Sequence, residues 1–203
     1  MFEPDALLLR QYVAAARGEG ALIIADEVFT GMHRVGPRWG HQRSGVDPDI
    51  VVTGKGLTNG IAPASVIWSR GDLASAENYP PGSHSSTFVG IPTTLAAIDA
   101  VIDRWAAWSQ VEVDVAALEA ALIGLVSDLR DEFPKLVEGG RVYGGSAGLQ
   151  LFGPIAHKIR NFAMGGHADR ALVVASTGIM ADVINIHPPL IATSDSVDEA
   201  KLA

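Results

Sequence analysis

The sequence has no cysteine, no long apolar run and few basic residues. The lack of cysteine excludes disulfides, thiolate metal sites and a cysteine nucleophile. No segment approaches the roughly 18 apolar residues of a membrane-spanning helix. Lys and Arg number 15 against 23 Asp and Glu, and the formal charge of −8 disfavours nucleic acid and anionic membranes as partners, because both bind clustered cations. The N-terminal residues lack the basic region and apolar core of an export signal, so we expect a cytoplasmic protein.

Short apolar runs alternate with helical patterns along the chain, which is typical of an α/β protein. A hydrophobic fraction of 48% and a charged fraction of 19%, over 203 residues, are ordinary for a soluble globular enzyme domain. The runs ALIIA (21–25), DIVVT (49–53) and ASVIWS (64–69) predict strands. The first two have the pattern of strands that are buried on both faces of a parallel sheet.

The composition changes near residues 105–110, and this change predicts a second, smaller domain. Apolar residues at helical spacing predict one helix over 92–108 and another over 111–133. We therefore assign residues 1–105 to a large α/β domain and residues 106–203 to a small α+β domain.

The small domain is rich in glycine after Pro134. The glycines of GGRVYGGSAG (139–148) predict a tight turn, and the following GLQLF predicts a strand. We expect a helix over 167–177 and a further strand over 183–187.

The stretch TGKGLTNG (53–60) places a lysine between two glycines at the end of a predicted strand. A phosphate-binding P-loop is excluded, because Asp49 stands where its first glycine should be and Gly56 follows Lys55 in place of Ser or Thr. One interpretation is a surface turn whose lysine has no role. The other is a binding site, because ligands of parallel sheets bind beyond the carboxyl ends of strands, where a partly buried amine attacks carbonyls. The glycines would then let a cofactor approach the backbone closely.

Two acids, Asp26 and Glu27, directly follow the ALIIA run. Successive strand residues point to opposite faces, so only one acid can face the crevice while the other must find a partner behind it. A carboxylate that caps a following helix is the alternative interpretation. We predict no metal site, because no cluster with ligand spacing accompanies the pair. His33 and Arg34, in the next loop, are candidates for the entrance of a substrate site.

A lysine and a carboxylate at two strand ends are the protein groups that pyridoxal 5'-phosphate (PLP) requires. The amine forms an imine with the aldehyde of the cofactor, and the carboxylate keeps the pyridine nitrogen protonated so that the ring can accept electrons. Lys55 and Asp26 together therefore indicate a PLP site.

Two segments, LIIADEVFTGMHRVG and GVDPDIVVTGKGLTNGIAP, resemble the core of the class III (ω-type) PLP-dependent aminotransferases. HSSTFVGIP and NIHPPLIAT are similar to two further segments of that family, and the resemblance extends from about residue 4 to residue 203. It implies a transferase of fold type I, with an incomplete, mainly parallel large domain that binds PLP and a small α+β C-terminal domain. The matching residues of the two central segments are Asp26, Glu27, Val28, Thr30, Gly31, Arg34, Gly36, Pro48, Asp49, Lys55, Gly56 and Gly60.

The resemblance also implies roles for individual residues. Lys55 would be the catalytic Schiff-base lysine, Asp26 the partner of the pyridinium nitrogen, and Val28 the side chain packed on one face of the ring. Thr87, from the neighbouring subunit of a homodimer, would hold the cofactor phosphate. The implied reaction moves an amino group from an amino acid or terminal amine to an oxo acid or aldehyde, both small molecules.

The sequence departs from the family pattern at three positions and in its extent. Phe29 stands where many relatives have glutamine, Ile91 replaces an asparagine, and Asn185 stands near the position of an arginine before the proline pair. Family members are much longer, with a phosphate loop and a ring-stacking aromatic that this sequence lacks. Two alternatives therefore stay open: a non-catalytic remnant or partner-dependent half of such an enzyme, and a PLP enzyme of another reaction type, such as a racemase or decarboxylase.

Overall fold

The structure, a computed structural model, describes residues 5–165 and 173–201. It divides into two compact units. The first unit contains Pro4–His33 and Pro37–Val111, and the second contains Arg34–Gly36 and Glu112–Ala203. The domain limits predicted from the sequence, 1–105 and 106–203, stay predictions.

The first unit is built on a three-stranded sheet in the order β1-β2-β3. β1 is parallel to β2, with Asp26 opposite Val52, whereas β3 is antiparallel to β2. The parallel pair sets two chain segments side by side at the carboxyl edge of the sheet. The elements are α1 (Ala6–Gly18), β1 (Ile24–Asp26), α2 (Gly40–Ser44), β2 (Ile50–Thr53), a 3₁₀ helix (Lys55–Thr58), β3 (Val66–Ser69) and α3 (Pro92–Ala107).

A small apolar core lies between the 3₁₀ helix and α3. Met32, Leu57 and Val101 are buried there, and the large side chains of Trp39 and Trp105 pack against them. The predicted helix over 92–108 is confirmed, and its buried residues Ala97 and Val101 are four apart, as one face of a helix requires.

The prediction that the ALIIA run is buried on both faces is wrong in this structure. Ile24 is 61% exposed, and on the other edge strand Trp68 is 56% exposed. The reason is that β1 and β3 are the two edges of the sheet, so that within the described residues each pairs with one strand only.

The second unit has a four-stranded antiparallel sheet in the order β4-β5-β7-β6. Its buried residues come mainly from α4 (Val115, Leu118 and Leu122) and from β5 (Leu149 and Leu151). The predicted helix over 111–133 is confirmed; it has 22 residues, and no helix in the described part of the chain has the length and apolarity to cross a membrane. The elements are α4 (Val111–Glu132), β4 (Val137–Val142), β5 (Ala147–Leu151), α5 (Ala156–Gly165), β6 (Ala175–Thr177), β7 (Val183–Ile186) and α6 (Ser194–Lys201).

Two predictions for the second unit need correction. Residues 175–177 form strand β6 rather than the end of a helix, because they pair with β7, and residues 167–172 lie outside the described residues. The tight turn predicted within 139–148 is confirmed at Gly144 and Gly145, between β4 and β5, where the backbone nitrogen of Tyr143 donates a hydrogen bond of 2.9 Å to the backbone oxygen of Ser146. Gly139 and Gly140, in contrast, belong to strand β4. A Cβ at Gly140 would lie 2.7 Å from a side-chain carbon of Val126 on α4, so this glycine allows helix and strand to approach closely.

Candidate active site

Asp26 and Lys55 follow neighbouring parallel strands of the first unit. Asp26 is the last residue of β1, and Lys55 begins the 3₁₀ helix just after β2. Asp26 pairs with Val52, so Lys55 comes three residues beyond the strand partner of Asp26. Both side chains are exposed. A carboxylate and an amine therefore emerge at the edge of the sheet where ligands of α/β proteins bind.

Glu27 points to the opposite side of β1 and is only 3% exposed. Its carboxylate accepts hydrogen bonds from the backbone nitrogens of Gly40 (2.8 Å) and His41 (2.7 Å) and from Thr30 Oγ1 (2.5 Å). It also lies 2.9 Å from Nδ1 of the His41 ring. The prediction that one of the two acids finds partners behind the strand is confirmed, and the exposed acid is Asp26.

Val28 lies beside the backbone that leads into Lys55. The backbone nitrogen of Val28 donates a hydrogen bond of 3.1 Å to Oδ1 of Asp26. The Cγ1 atom of Val28 would lie 3.7 Å from a Cβ built at Gly54, which is ordinary van der Waals contact. The apolar side chain of Val28 therefore lies next to Gly54, the residue before Lys55, while its backbone is bonded to Asp26.

The glycines on either side of Lys55 are approached closely by the protein itself. A Cβ at Gly54 would lie 3.2 Å from the backbone oxygen of Ala64, and one at Gly56 would lie 3.2 Å from Cβ of Met32. These contacts are tighter than side chains usually make, so they give a reason for both glycines that does not depend on a cofactor. Met32 also belongs to the loop after β1, so Gly56 brings the two loops together.

Backbone strain is concentrated in the same two loops. Met32 (φ 55°), His33 (φ 63°), Lys55 (φ 39°) and Asn59 (φ 49°) adopt the left-handed conformation that residues with a Cβ rarely take. Strained residues of this kind persist where the surrounding contacts hold them, and they are frequent at functional sites. Their clustering supports a functional role for the loops after β1 and β2.

The Lys55 ammonium lies over an aromatic ring rather than beside a carboxylate. Its Nζ is 5.2 Å from the centre of the Phe29 ring. The ion pairs formed between described residues do not include Lys55, and no group of three or more His, Asp or Glu side chains within residues 5–165 and 173–201 could hold a metal ion. The amine is therefore accessible to an incoming carbonyl compound.

Thr53, two residues before Lys55, has a feature that the sequence analysis missed. It is 5% exposed, and its Oγ1 atom is buried without a hydrogen-bond partner among the described residues. A buried hydroxyl without a partner is unfavourable, so its position next to Gly54 and Lys55 is notable. The only sequence signal was a threonine at the end of a strand before the Gly-Lys pair.

The predicted place at a substrate entrance is wrong for His33, which is buried, and stays a prediction for Arg34, which is half-buried. His33 is 5% exposed, and its ring centre lies 5.1 Å from that of Trp105, within the first unit. Arg34 belongs to the second unit, where its Nη1 donates hydrogen bonds to the backbone oxygens of Gly145 (3.0 Å) and Pro188 (2.8 Å). Burial lowers the pKa of the Arg34 guanidinium, because the charged form loses its contact with water.

The remaining predicted site residue, Thr87, lies in an exposed turn before α3. Its place at a cofactor phosphate stays a prediction, as do the cofactor contacts of Lys55, Asp26 and Val28. Of the positions that depart from the family pattern, Ile91 precedes the first turn of α3, and Asn185 is half-buried in β7 opposite Gly148.

The fold is that of the PLP-dependent transferases of fold type I, as predicted. The structure of ornithine δ-aminotransferase from Plasmodium falciparum superimposes with a TM-score of 0.80, at 22% identity, and covers 100% of this chain and 51% of its own. The sequence profile of the family described as "Aminotransferase class-III" matches residues 1–202. The chain therefore belongs to the class III aminotransferases, which are PLP-dependent enzymes.

Several relatives within this family are acetylornithine aminotransferases. That of Gloeobacter violaceus is 34% identical over 192 residues, which are 95% of this chain and 44% of the relative. That of Bacillus subtilis is 32% identical, over 89% of this chain and 43% of the relative. The crystal structure of the Elizabethkingia anophelis enzyme has a TM-score of 0.79 at 25% identity and covers 97% of this chain and 47% of its own. The chain thus spans less than half the length of these relatives.

Proposed function

We propose that the chain contributes the lysine and carboxylate of a PLP-dependent transaminase site. The reaction would move an amino group from an amino acid or terminal amine to an oxo acid or aldehyde. The observation that supports the proposal best is the parallel pairing of β1 with β2, which places Asp26 and Lys55 after neighbouring strands in a member of the class III family.

The residues present fit the reactive parts of the cofactor. The exposed Lys55 amine can condense with an aldehyde, and the exposed Asp26 carboxylate can pair with a protonated pyridine nitrogen. Val28 offers an apolar side chain next to Gly54, the residue before Lys55. When bound, PLP would supply the electron sink for cleavage at the carbon that bears the amino group. The Nζ atom of Lys55, once released as a free amine, would carry the proton from that carbon.

The relatives suggest which amino donors to test first. Several of them are acetylornithine aminotransferases, so the terminal amine of an N-acetylated ornithine is a reasonable donor, with an oxo acid as acceptor. A homodimer is part of the proposal, because Thr87 lies in an exposed turn from which it could reach a neighbouring subunit. A cytoplasmic location stays a prediction.

The proposal is tested by trapping the cofactor on the purified chain. The chain would be mixed with PLP and reduced with borohydride, and the phosphopyridoxyl group would be located by peptide mass spectrometry. We expect modification at Lys55 and its loss in Lys55→Ala, with Lys135 and Lys158 as internal controls for random modification. Equal modification of Lys55, Lys135 and Lys158 would refute a specific site. A separate, unreduced sample of the chain with PLP would then be screened with amino donors for release of the oxo product.

A second candidate function is that of a half-site that needs a partner polypeptide. It is favoured by the apolar side chains on the two edge strands, where Ile24 is 61%, Ile67 48% and Trp68 56% exposed. Burial of such surface is the main driving force of stable association. Light scattering of the purified chain, with trapping repeated over a range of protein concentrations, distinguishes the two candidates. Trapping at Lys55 in the monomer would argue against the half-site.

A further inference from the structure

We propose that Phe29 is a positioning residue that holds the Lys55 amine in place while the amine is not covalently bound to the cofactor. The inference rests on the proposed function and adds to it a residue that the family pattern does not provide at this position. Its basis is the Lys55 Nζ atom, 5.2 Å from the centre of the Phe29 ring. That distance is within the range of a cation–π contact, in which the face of the ring attracts the ammonium.

The position of Phe29 is fixed by its neighbours in the chain. Glu27 is anchored on Gly40 and His41 behind β1. The backbone nitrogen of Gly31 donates a hydrogen bond of 3.0 Å to the backbone oxygen of Glu27, and this bond closes the turn that contains Phe29. Phe29 itself is half-buried. The ring is therefore carried by a hydrogen-bonded turn that is anchored through Glu27.

The backbone of Lys55 is fixed from its own side. The nitrogen of Leu57 donates a hydrogen bond of 2.9 Å to the backbone oxygen of Gly54, and Thr58 Oγ1 donates one of 2.5 Å to the backbone oxygen of Ala62. The left-handed backbone of Lys55, at φ 39°, sets the direction in which its side chain leaves the chain. The two hydrogen-bonded turns thus meet through the Lys55 side chain and the Phe29 ring. No ion pair between described residues competes for the Lys55 ammonium.

The contact has a consequence for the proposed chemistry. Lys55 must alternate between a covalently bound state and a free state in which it carries protons. A ring face next to the site gives the free ammonium a defined position, so the lysine stays close to the reacting atoms while it is not bonded to them. A glutamine at position 29 could offer hydrogen bonds but no ring face. We therefore interpret Phe29, in place of the glutamine of many relatives, as a residue that serves to position the Lys55 amine.

The geometry is tested by nuclear magnetic resonance, without cofactor. Reductive methylation with ¹³C-formaldehyde places methyl groups on the lysines, of which there are four: Lys55, Lys135, Lys158 and Lys201. Lys55→Arg assigns the Lys55 signal. We expect an upfield ring-current shift of this signal in the native chain and in Phe29→Tyr, and its loss in Phe29→Leu. A Lys55 signal that is equally placed in the native chain and in Phe29→Leu would overturn the proposal.

The chemical consequence is tested by trapping PLP with borohydride at limiting cofactor. The ring stabilises the free lysine, so Phe29→Leu should raise the ratio of trapped to free Lys55 by about two- to fivefold, the factor that an exposed cation–π contact is worth. An unchanged or lowered ratio would contradict the inference. If no PLP is trapped on any variant while the ring-current shift is present, the proposed function fails and with it the role of Phe29 in the reaction, while the contact between the Phe29 ring and the Lys55 ammonium stands.

Discussion

The carboxylate of Glu27 binds His41 twice, at 2.7 Å from its backbone nitrogen and 2.9 Å from Nδ1 of its ring, while the adjacent Asp26 is exposed. Two consecutive acids therefore have different tasks. Glu27 ties the end of β1 to the start of α2, and Asp26 is left available to a ligand. The difference arises from the alternation of side chains along a strand and can be tested with paired substitutions.

Glu27→Gln should destabilise the first unit by about 1–3 kcal/mol, because it replaces a buried acceptor of several hydrogen bonds with a group that must donate. Asp26→Asn should change the stability by less than about 0.5 kcal/mol, as exposed substitutions usually do. Urea denaturation followed by tryptophan fluorescence measures both, since Trp39 and Trp105 pack in the core of this unit. Equal losses for the two variants would show that the two acids do not differ in this way.

Asp26→Asn should instead weaken cofactor binding. The loss of a charged hydrogen bond to the pyridine nitrogen should lower the affinity for PLP about tenfold or more. Titration of the absorption band with PLP measures the affinity. Asp47→Asn serves as the control, because Asp47 is an exposed acid of the loop between α2 and β2. An unchanged affinity in Asp26→Asn would remove Asp26 from the site.

Gly144→Ala should destabilise the second unit by about 2–3 kcal/mol. A Cβ there would lie 2.4 Å from the Cα of Val35 and 2.6 Å from the backbone oxygen of Arg34, and the residue has φ 58°. Backbone atoms cannot move aside as the end of a side chain can. Gly124→Ala is the matched control. Gly124 lies within α4, and a Cβ there would have no atom of the described residues within 4 Å, so alanine should be neutral or stabilise the helix. Circular dichroism during thermal unfolding compares the two, and similar midpoints would contradict the expected contact.

Arg34→Met should destabilise the second unit by about 1–3 kcal/mol, because the backbone oxygens of Gly145 and Pro188 would be left without their donor. Methionine retains most of the apolar stem, so the loss reports the guanidinium. Arg38→Met is the control, since Arg38 is exposed. Hydrogen exchange of the segments around residues 145 and 188 is the measurement; faster exchange is expected in Arg34→Met only. Unchanged exchange in these segments would exclude the bridging role.

The sequence patterns predicted those parts of the fold that depend on local chemistry. Helices α3 and α4 follow from apolar spacing, and the strand ends that carry Asp26 and Lys55 follow from short apolar runs before polar residues. Strand β4 was missed because Gly139 and Gly140 suggested a turn, whereas both belong to a paired strand in which Gly140 allows the close approach of α4.

Long-range contacts could not be predicted in this way. Arg34 is hydrogen-bonded to Gly145 and Pro188, which lie 111 and 154 positions further along the chain. No local pattern in the sequence marks these partners. Likewise the meeting of Phe29 with Lys55 depends on the parallel pairing of β1 with β2, which places two loops side by side that are separated in sequence. The residue types indicated a cofactor, while the three-dimensional structure was needed to identify a neighbour of the lysine.

The exposed edge strands bear on the behaviour of the chain in solution. An edge whose backbone groups pair with no further strand of the described residues, and which carries apolar side chains such as Ile24, is a template for further strand pairing, which charged residues or proline would normally prevent. We therefore expect the protein to aggregate when it is concentrated or gently warmed, before its secondary structure is lost cooperatively. Dilute solutions and arginine-containing buffers are the starting point for handling the protein. The soluble yield will depend on the exposed edge at β1 more than on the interior of either unit.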